Sequence, residues 1–281
     1  MRMGTTARAV SLGSALTADS HHGLTGVYNP AGTAFLEQRH GTAGHQILSL
    51  DRQLSCVGIT MKLPPTAGIG IAWIHAGVNH IEERNSLGEY SGKLSTGENA
   101  FVLSFAQNFS GRFALGLNAK MMTHTLPIYD EKLMGTAVGV DLGFLYKVND
   151  FVHLGGVVQN LNAKYQWKTN AIFEETGTIY YEDFPVIYKA GFKTRFVNFQ
   201  VLCDVEFVTN NSLLLGKRLN GGIEFYLNEN VTFRYGKREE QFGIGFGYTY
   251  FKLDNYGVTL DYSAVMDEVS VTHVISSSFS F

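Results

Sequence analysis

The feature that most constrains this chain is the alternation of apolar and polar side chains along most of its length after residue 40. Successive side chains of a β-strand point to opposite faces, so each alternating run has one apolar side and one polar side. In 136–147, for example, Val138 and Phe144 share the apolar face, while Gly139 and Asp141 lie opposite. The alternation predicts β-strands that separate two different surroundings.

About fourteen such runs occur, separated by turn residues. The predicted strands lie near 42–50, 53–63, 67–76, 98–109, 111–122, 136–147, 150–160, 185–195, 197–208, 217–227, 229–236, 241–251, 254–263 and 270–281. Tight turns such as KVND and LNEN alternate with longer links, chiefly 77–97, 123–135, 161–184 and 209–216. This sorting predicts strands that run up and down, with the tight turns at one end and the long links at the other.

Two surroundings can produce this pattern, and they differ in where the apolar face points. An inward apolar face would leave a barrel of this size unfilled, since about eight strands already fill their own interior. An outward apolar face contacts lipid, and closure pairs every backbone amide as a bilayer requires. The sequence therefore predicts an all-β fold, a transmembrane antiparallel β-barrel of about fourteen strands.

The polar face of the predicted strands collects charged side chains. A Lys or Arg on the lipid face near the bilayer centre costs roughly 2–4 kcal/mol, so we expect these charges to line the lumen. The predicted lumen residues are Lys120, Asp141, Asp204, Glu206, Glu224, Arg234 and Asp261.

Composition excludes several other classes of protein. No stretch approaches the roughly 18 apolar residues of a membrane-spanning helix. The net charge of −3 and the lack of a basic run give no reason to expect a nucleic-acid partner. The first residues, MRMGTTARAV, lack the features of a secretion signal, so we expect a leader to have been removed.

Residues 1–40 do not alternate and are rich in small side chains. We expect them to form a partly helical hatch inside the lumen of a barrel built from 41–281. Arg8 is expected to hold this hatch by pairing with one of the lumen carboxylates, namely Asp141, Asp204, Glu206, Glu224 or Asp261, and the alternative is a water-filled gap with solvated charges. Five apolar side chains are candidates either to line a ligand cavity or to form the hatch's own core: Leu12, Leu16, Leu24, Val27 and Phe35.

The longest aromatic-rich link, 161–184, is a candidate surface for a partner protein. Its candidate contact residues are Tyr165, Trp167, Phe173, Tyr180 and Tyr181. The alternative is that these rings pack over the barrel mouth or dip into lipid headgroups.

The remaining reactive residue types give no catalytic or metal site. Parity places Cys203 toward lipid and Cys56 toward the lumen, so no disulfide between them is expected. The histidines are scattered, and only His124 and His273 lie near outer strand ends. The spacing of His21, His22, His40 and His45 matches no strong metal pattern, so we expect no enzyme, no metal and no cofactor.

Several motifs occur in order along the chain, including TTARAVSLGSALTADS, YNPAGTAFL, GVDLGFLYK, GGIEFYLNENVTFRYGK and VTHVISSSFSF. Together they resemble the PorV/PorQ family, a branch of the FadL-type outer-membrane barrels. The resemblance implies fourteen strands, a location in the outer membrane of Gram-negative bacteria, and a hatch motif at Asn29, Pro30, Ala31 and Gly32, with Arg8 in the preceding ARA motif. Bacterial barrels of this kind commonly end on a phenylalanine that the assembly machinery reads, so Phe279 and Phe281 are the expected assembly signal.

The resemblance also implies two functions. The first is an accessory or scaffold role in type IX-like protein export, with secretion-system or secreted cargo proteins bound at the outer loops. The alternative is passive transport of hydrophobic small molecules, which predicts such a molecule near the hatch. Outer-membrane lipid is an expected partner in both cases.

Overall fold

The computed structural model describes residues 4–20, 23–128, 131–169, 177–210, 213–253, 256–268 and 270–281, without the side chains of 131 and 251–253. Near the N-terminus lie helix α1 (Ala7–Ser11), helix α2 (Thr25–Tyr28) and the 3₁₀ helix η1 (Pro30–Phe35). The strands are β1 (His40–Ile47), β2 (Arg52–Leu63), β3 (Ala67–Arg84), β4 (Tyr90–Asn108), β5 (Phe113–Ile128), β6 (Glu131–Lys147), β7 (Val152–Lys168), β8 (Ile179–Asp183), β9 (Val186–Arg195), β10 (Phe199–Asn210), β11 (Leu213–Tyr226), β12 (Val231–Arg238), β13 (Gln241–Leu253), β14 (Tyr256–Met266) and β15 (Val271–Ser280). In the described part of the chain, no helix is long and apolar enough to cross a membrane.

The strands form one closed antiparallel barrel. Apart from β8 and β9, which do not pair with each other, consecutive strands pair along the chain, and β1 pairs with β15 to close the wall. Strands β8 and β9 follow one another along the same edge of β7, with Phe184 and Pro185 between them. The 15 strands of the sheet therefore occupy fourteen positions in the wall, because β8 and β9 share one position. The predicted fold class is confirmed.

The two faces of the wall have opposite character. Val138 on the outer face is 69% exposed, whereas Asp141, three residues farther along the same strand, is 1% exposed on the inner face. Exposed apolar and aromatic side chains occur on the outer face around the barrel, and buried polar and charged side chains are most frequent inside β9 to β14. An apolar exterior of this kind suits contact with hydrocarbon, and the polar side chains find partners inside.

The long links are shorter than the sequence analysis predicts, because most of their residues continue the strands. Strands β3 and β4 stay paired up to Arg84 and Tyr90, so the predicted loop 77–97 is wrong. The predicted loop 161–184 is also wrong, since β7 continues to Lys168 and pairs there with β8. Pairing in hairpins satisfies the backbone hydrogen bonds of these residues, which an irregular loop would leave to water.

The outer rim of the barrel has two heights. Strands β3 to β11 rise above their neighbours and form what we call the tall wall. Strands β12 to β15, β1 and β2 form the low wall, because β12 pairs with β11 only from Arg238 and Asn220 inward. On the other side, β2 begins opposite Val78, six residues before the end of β3 at Arg84.

The N-terminal segment, residues 4–20 and 23–39, lies inside the barrel and leaves it at the tight-turn end, where the backbones of Arg39 and Phe281 exchange two hydrogen bonds. Glycines of the inner wall have no side chain, so the backbone of the segment packs directly against the wall at these positions. A β-carbon on Gly236 would lie 2.5 Å from the backbone nitrogen of Gly13. A β-carbon on Gly116 would lie 2.4 Å from the backbone nitrogen of Ala31. Larger residues at these wall positions would push the segment away.

Candidate functional site: the barrel interior

A chain of alternating charges crosses the interior. We call it the ion ladder, and its members in order are Lys193, Asp19, Arg8, Glu224, Arg234 and Asp261. The successive nitrogen–oxygen distances are 2.7, 2.7, 2.9, 2.6 and 2.6 Å. Asp19 and Arg8 belong to the N-terminal segment and the other four to β9, β11, β12 and β14. The ladder therefore ties the segment to one side of the wall through buried, charge-assisted hydrogen bonds.

Arg8 occupies the centre of the ion ladder. Its Nε and Nη2 atoms donate to the two carboxylate oxygens of Glu224 at 3.1 and 2.9 Å, and its Nη1 donates to Asp19 at 2.7 Å. Burial disfavours its charge, but the two carboxylates outweigh burial and raise the pKa of Arg8 above its ordinary value. Of the five wall carboxylates considered for Arg8, the structure pairs it with Glu224.

The other predicted lumen charges also lie on the inner wall. Asp204 accepts hydrogen bonds from the backbone nitrogen and the hydroxyl of Thr17, at 3.0 and 2.7 Å. Glu206 pairs with Arg218 at 3.2 Å and lies 3.6 Å from Lys189. Lumen charges missed by the sequence analysis are Asp19, Lys189 and Lys193. The strand pattern of KAGFKTR places both lysines on the inner face, so the signal for Lys189 and Lys193 was present.

An ion pair joins β5 to β6, with Nζ of Lys120 lying 2.6 Å from Oδ1 of Asp141. Asp141 also accepts a hydrogen bond from the backbone nitrogen of Asn160, which has a φ of +62° at a bulge in β7. Asn118 donates both to Asp141 and to the backbone oxygen of Gly26 in the N-terminal segment, at 3.0 and 2.9 Å. One neutral side chain thus links helix α2 to the wall on this side.

The inner faces of β2 to β7 are largely apolar, and we call them the apolar half of the interior. They contain two clusters of packed side chains. The vestibule cluster, at the tall wall, consists of Ala100, Met122, Leu133, Ala137, Ala163, Tyr165 and Trp167, with Leu126, Ile128 and Phe184 against it. The inner cluster consists of Leu54, Cys56, Ala72, Ile74 and Val102, together with Leu24 of the N-terminal segment.

Two small cavities lie on either side of Tyr28. The outer cavity, of about 40 Å³, is lined by Ile74, Ala100, Val102 and Met122, which belong to the two apolar clusters, and by charged side chains of the opposite wall. The inner cavity, of about 30 Å³, is lined by Leu16 and Leu24 among others. Tyr28 lines both cavities, and its hydroxyl oxygen lies 2.8 Å from both the backbone nitrogen and the Oγ1 atom of Thr5.

The structure disperses the aromatic side chains that the sequence analysis groups as an outer-loop surface. Tyr165 and Trp167 are buried in the vestibule cluster, because they lie on the inner face of β7. Tyr180 and Tyr181 on β8 are exposed, at 64% and 58%. Phe173 lies outside the described residues. The prediction that Tyr165 and Trp167 belong to one exposed surface over 161–184 is therefore wrong.

The hatch motif caps η1. The side-chain oxygen of Asn29 accepts a hydrogen bond from the backbone nitrogen of Ala31 at 3.0 Å, and Pro30 occupies the first turn, where its missing N–H costs nothing. The side-chain nitrogen of Asn29 donates to the backbone oxygens of Thr17 and Phe144. Gly32 packs against Thr25, since a β-carbon there would lie 2.7 Å from its hydroxyl oxygen.

The five apolar side chains of the N-terminal segment have different surroundings. Leu12 and Leu16 pack into a core with Leu202 of β10, and Leu24 and Val27 pack against the inner cluster. Phe35 packs at the tight-turn end.

The remaining candidates lie apart from one another. Phe279 is 43% exposed on the outer face of β15 and stacks on Phe281. Cys56 is buried and donates from its Sγ to the backbone oxygen of Thr5, and Cys203 is half-buried. The ring of His124 packs against those of Tyr165 and Trp167, and Nδ1 of His273 forms a hydrogen bond with the hydroxyl group of Tyr262. Across the described residues, no group of three or more His, Cys, Asp or Glu side chains could hold a metal ion; His21 and His22 lie outside them.

The apolar half is the functional feature that the sequence analysis missed. Its signal was present in IGIAWIH, where Ala72 and Ile74 on the inner face alternate with Ile71 and Trp73 on the outer face. A strand that is apolar on both faces needs apolar surroundings on both sides.

Solved structures similar to this one cover the whole barrel. The toluene transporter TodX of P. putida has a TM-score of 0.70 at 12% identity over 99% of this chain and 98% of its own. The two chains share one fold. A Pseudomonas aeruginosa FadL homologue has a TM-score of 0.68 at 11% identity over 100% of this chain and 99% of its own. The toluene transporter TbuX of Ralstonia pickettii has a TM-score of 0.64 at 14% identity, covering 99% and 97% of the two chains.

No family model matches the sequence, and no curated protein matches it. Identities of this size establish a shared fold alone, so the function has to be argued from the interior.

Proposed function

We propose that this chain is a bacterial outer-membrane barrel that passively transports small hydrophobic molecules. The observation that carries the proposal is the continuous apolar surface of the interior. It runs from the vestibule cluster at the tall wall, along Met122 and Ile74, to the outer cavity beside Tyr28. An apolar molecule that reaches the mouth meets apolar side chains down to the N-terminal segment, and each contact removes apolar surface from water.

The second step of the proposed route is past Tyr28. Both cavities are too small for a hydrocarbon, since a cavity that binds benzene has a volume of about 150 Å³. Passage therefore requires helix α2 to move away from the apolar half. The contacts that hold α2 there are neutral, chiefly the hydrogen bond from Asn118 to Gly26 and the packing of Val27. The ion ladder holds the other side of the segment.

The relatives by structure support the same proposal. Two of them are described as toluene transporters and another as a monoaromatic hydrocarbon channel. They favour transport over the export-scaffold role that the PorV/PorQ resemblance implies. Toluene is therefore the probe for a first experiment.

A matched pair of variants tests the apolar surface. Ile74→Asn places a polar group on the apolar half, and Val274→Asn makes the same kind of change on β15, outside it; both side chains are fully buried. We expect Ile74→Asn to lower the uptake of radiolabelled toluene by cells carrying the barrel about tenfold, because an unsatisfied polar group costs about 1–3 kcal/mol. Val274→Asn should leave uptake near the wild-type level in equally folded protein. Equal losses in both variants, or in neither, would refute the proposed route.

A second candidate function is docking of a partner protein at the tall wall. It is favoured by β8, whose residues Ile179 to Asp183 are all exposed and whose edge away from β7 has no paired strand among the described residues. Exposed strand edges accept extended peptides by backbone pairing. Capture of a secreted cargo protein by wild-type barrels, lost on Tyr181→Pro and retained by Ile74→Asn, would support this role; binding unchanged by Tyr181→Pro would refute it.

A further inference from the structure

The junction between the tall and low walls forms a groove in the barrel's outer surface. Strand β11 pairs with β12 only over Asn220 to Tyr226, so its residues 213–219 have no partner on that side among the described residues. The groove beside this free edge is open and large, about 1010 Å³, and its lining includes Lys217, Leu219, Gly221 and Lys237. A strand edge at this level has backbone donors and acceptors that still need partners.

Two lysines flank the groove on the lipid-facing side. The Nζ atom of Lys217 lies 5.9 Å from the ring centroid of Phe207, and that of Lys237 lies 4.8 Å from the ring centroid of Phe242. Lys217 lies directly opposite Phe207 on the neighbouring strand, and Lys237 lies directly opposite Phe242. Each lysine therefore points to the same outer face of the wall as its aromatic partner. The stems of the lysines therefore lie along apolar surface with their ammonium groups toward the headgroups.

The lysines lie at the outer end of the lipid-facing band. Lys217 is eight residues along β11 from Phe225, and Phe242 is eight residues along β13 from Tyr250. In strands tilted by about 40°, eight residues rise about 20 Å. The band is about 25 Å tall, so both ammonium groups reach the outer headgroup layer.

Neither lysine has an acidic partner. In the described residues, no ion pair involves Lys217 or Lys237, whereas the lumen lysines Lys120, Lys189 and Lys193 all lie within 4 Å of a carboxylate. The neighbouring Arg218 forms ion pairs with Glu206 and Glu239. The groove thus presents two lysine charges that belong to no described ion pair, and its lining also includes the apolar residues Cys203 and Leu219 and the carboxylates of Glu239, Glu240 and Asp267.

We propose that this groove binds a phosphorylated glycolipid of the outer leaflet. The ammonium groups of Lys217 and Lys237 would hold the phosphate groups, the sugar hydroxyls would pair with the free edge of β11, and an acyl chain would lie over Gly221, where the wall has no side chain. A hydrocarbon alone would leave the charges and the edge without partners, and a protein segment would have to enter the lipid-facing surface. The inference rests on the proposed outer-membrane location and is independent of transport.

Lipid retention tests the proposal. Wild-type barrel and the double variant Lys217→Ala/Lys237→Ala are purified in mild detergent from the same membranes, and bound lipid is identified by native mass spectrometry. At about 1 kcal/mol per lysine, we expect the double variant to bind the phosphorylated glycolipid about thirtyfold more weakly. Lys217→Arg/Lys237→Arg should retain it. Lys93→Ala, which removes an exposed lysine of the tall wall, is the matched control.

Several outcomes would overturn the proposal. These are equal retention by wild type and the alanine double variant, equal loss in the Lys93 control, or preference for phosphatidylglycerol over the glycolipid in a competition arm. Resistance to unfolding by detergent at raised temperature confirms that each variant is folded. Toluene uptake is measured in parallel, and its failure bears on transport alone.

Discussion

The two halves of the interior hold the N-terminal segment by different kinds of contact. On the side of β9 to β14, the ion ladder joins Arg8 and Asp19 to the wall through charge-assisted hydrogen bonds. On the apolar half, the segment is held by packing and by neutral hydrogen bonds such as that from Asn118 to Gly26. Charge-assisted bonds are roughly twice as strong as neutral ones. We infer that the segment is anchored on the ladder side and can be released on the apolar half.

The largest effect should come from reversing the charge at the centre of the ladder. Arg8→Glu places three carboxylates together, with Asp19 and Glu224, and breaking a buried pair costs about 3–5 kcal/mol. We expect the segment to loosen and the small-ion conductance of single barrels in planar bilayers to rise severalfold. Arg112→Glu, an exposed charge reversal at a tight turn, is the control. Unchanged conductance in Arg8→Glu would show that the ladder does not anchor the segment.

The next effect concerns the boundary between the two cavities. Tyr28→Ala removes the ring that lines both of them and should join them into one space. We expect toluene uptake to rise, with a smaller rise for Tyr28→Phe, which keeps the ring and loses only the hydroxyl contact with Thr5. If Tyr28→Ala lowered uptake in folded barrels, the route past this side chain would be wrong.

The smallest effect should follow from weakening the neutral link on the apolar half. Asn118→Ala removes the hydrogen bond to the backbone oxygen of Gly26, a contribution of about 1 kcal/mol. We expect a rise in toluene uptake of about fivefold or less and no change in small-ion conductance, because the ion ladder stays in place. A conductance rise as large as that of Arg8→Glu would remove the distinction between the two halves.

Much of the barrel could be predicted from the sequence because strand parity is a local signal. Alternation around Asp141, Asp204 and Glu224 was enough to place these carboxylates on the inner wall. The ion ladder was only partly predictable, since Arg8 was expected to pair with a wall carboxylate but its second partner, Asp19, comes from a turn of the segment itself. Such a pairing depends on how the segment folds inside the wall, which no local pattern records.

The tall wall and the apolar half were harder to predict for a different reason. Residues 77–97 were interpreted as a link between strands, although most of them form a paired hairpin. The burial of Tyr165 and Trp167 follows from the extension of β7, so the error in the loop caused the error in the surface. Where a strand leaves the membrane, water replaces lipid outside it, and the apolar pattern of the outer face no longer marks the strand.

Two cross-links test the central claim that one side of the segment is anchored and the other releases. In a background with Cys56→Ala and Cys203→Ala, Gly26→Cys/Ser104→Cys links α2 to the apolar half, and Ser11→Cys/Gly245→Cys links α1 to the ladder side. A β-carbon on Gly26 would lie 2.9 Å from Cβ of Ser104, and one on Gly245 would lie 2.5 Å from Cβ of Ser11, so small shifts bring both pairs to disulfide distance.

The measurement is toluene uptake before and after reduction of each cross-link. We predict that the Gly26→Cys/Ser104→Cys disulfide abolishes uptake and that a reductant restores it, while the Ser11→Cys/Gly245→Cys disulfide leaves uptake unchanged. Full uptake through a barrel whose α2 is locked to β4 would contradict the account.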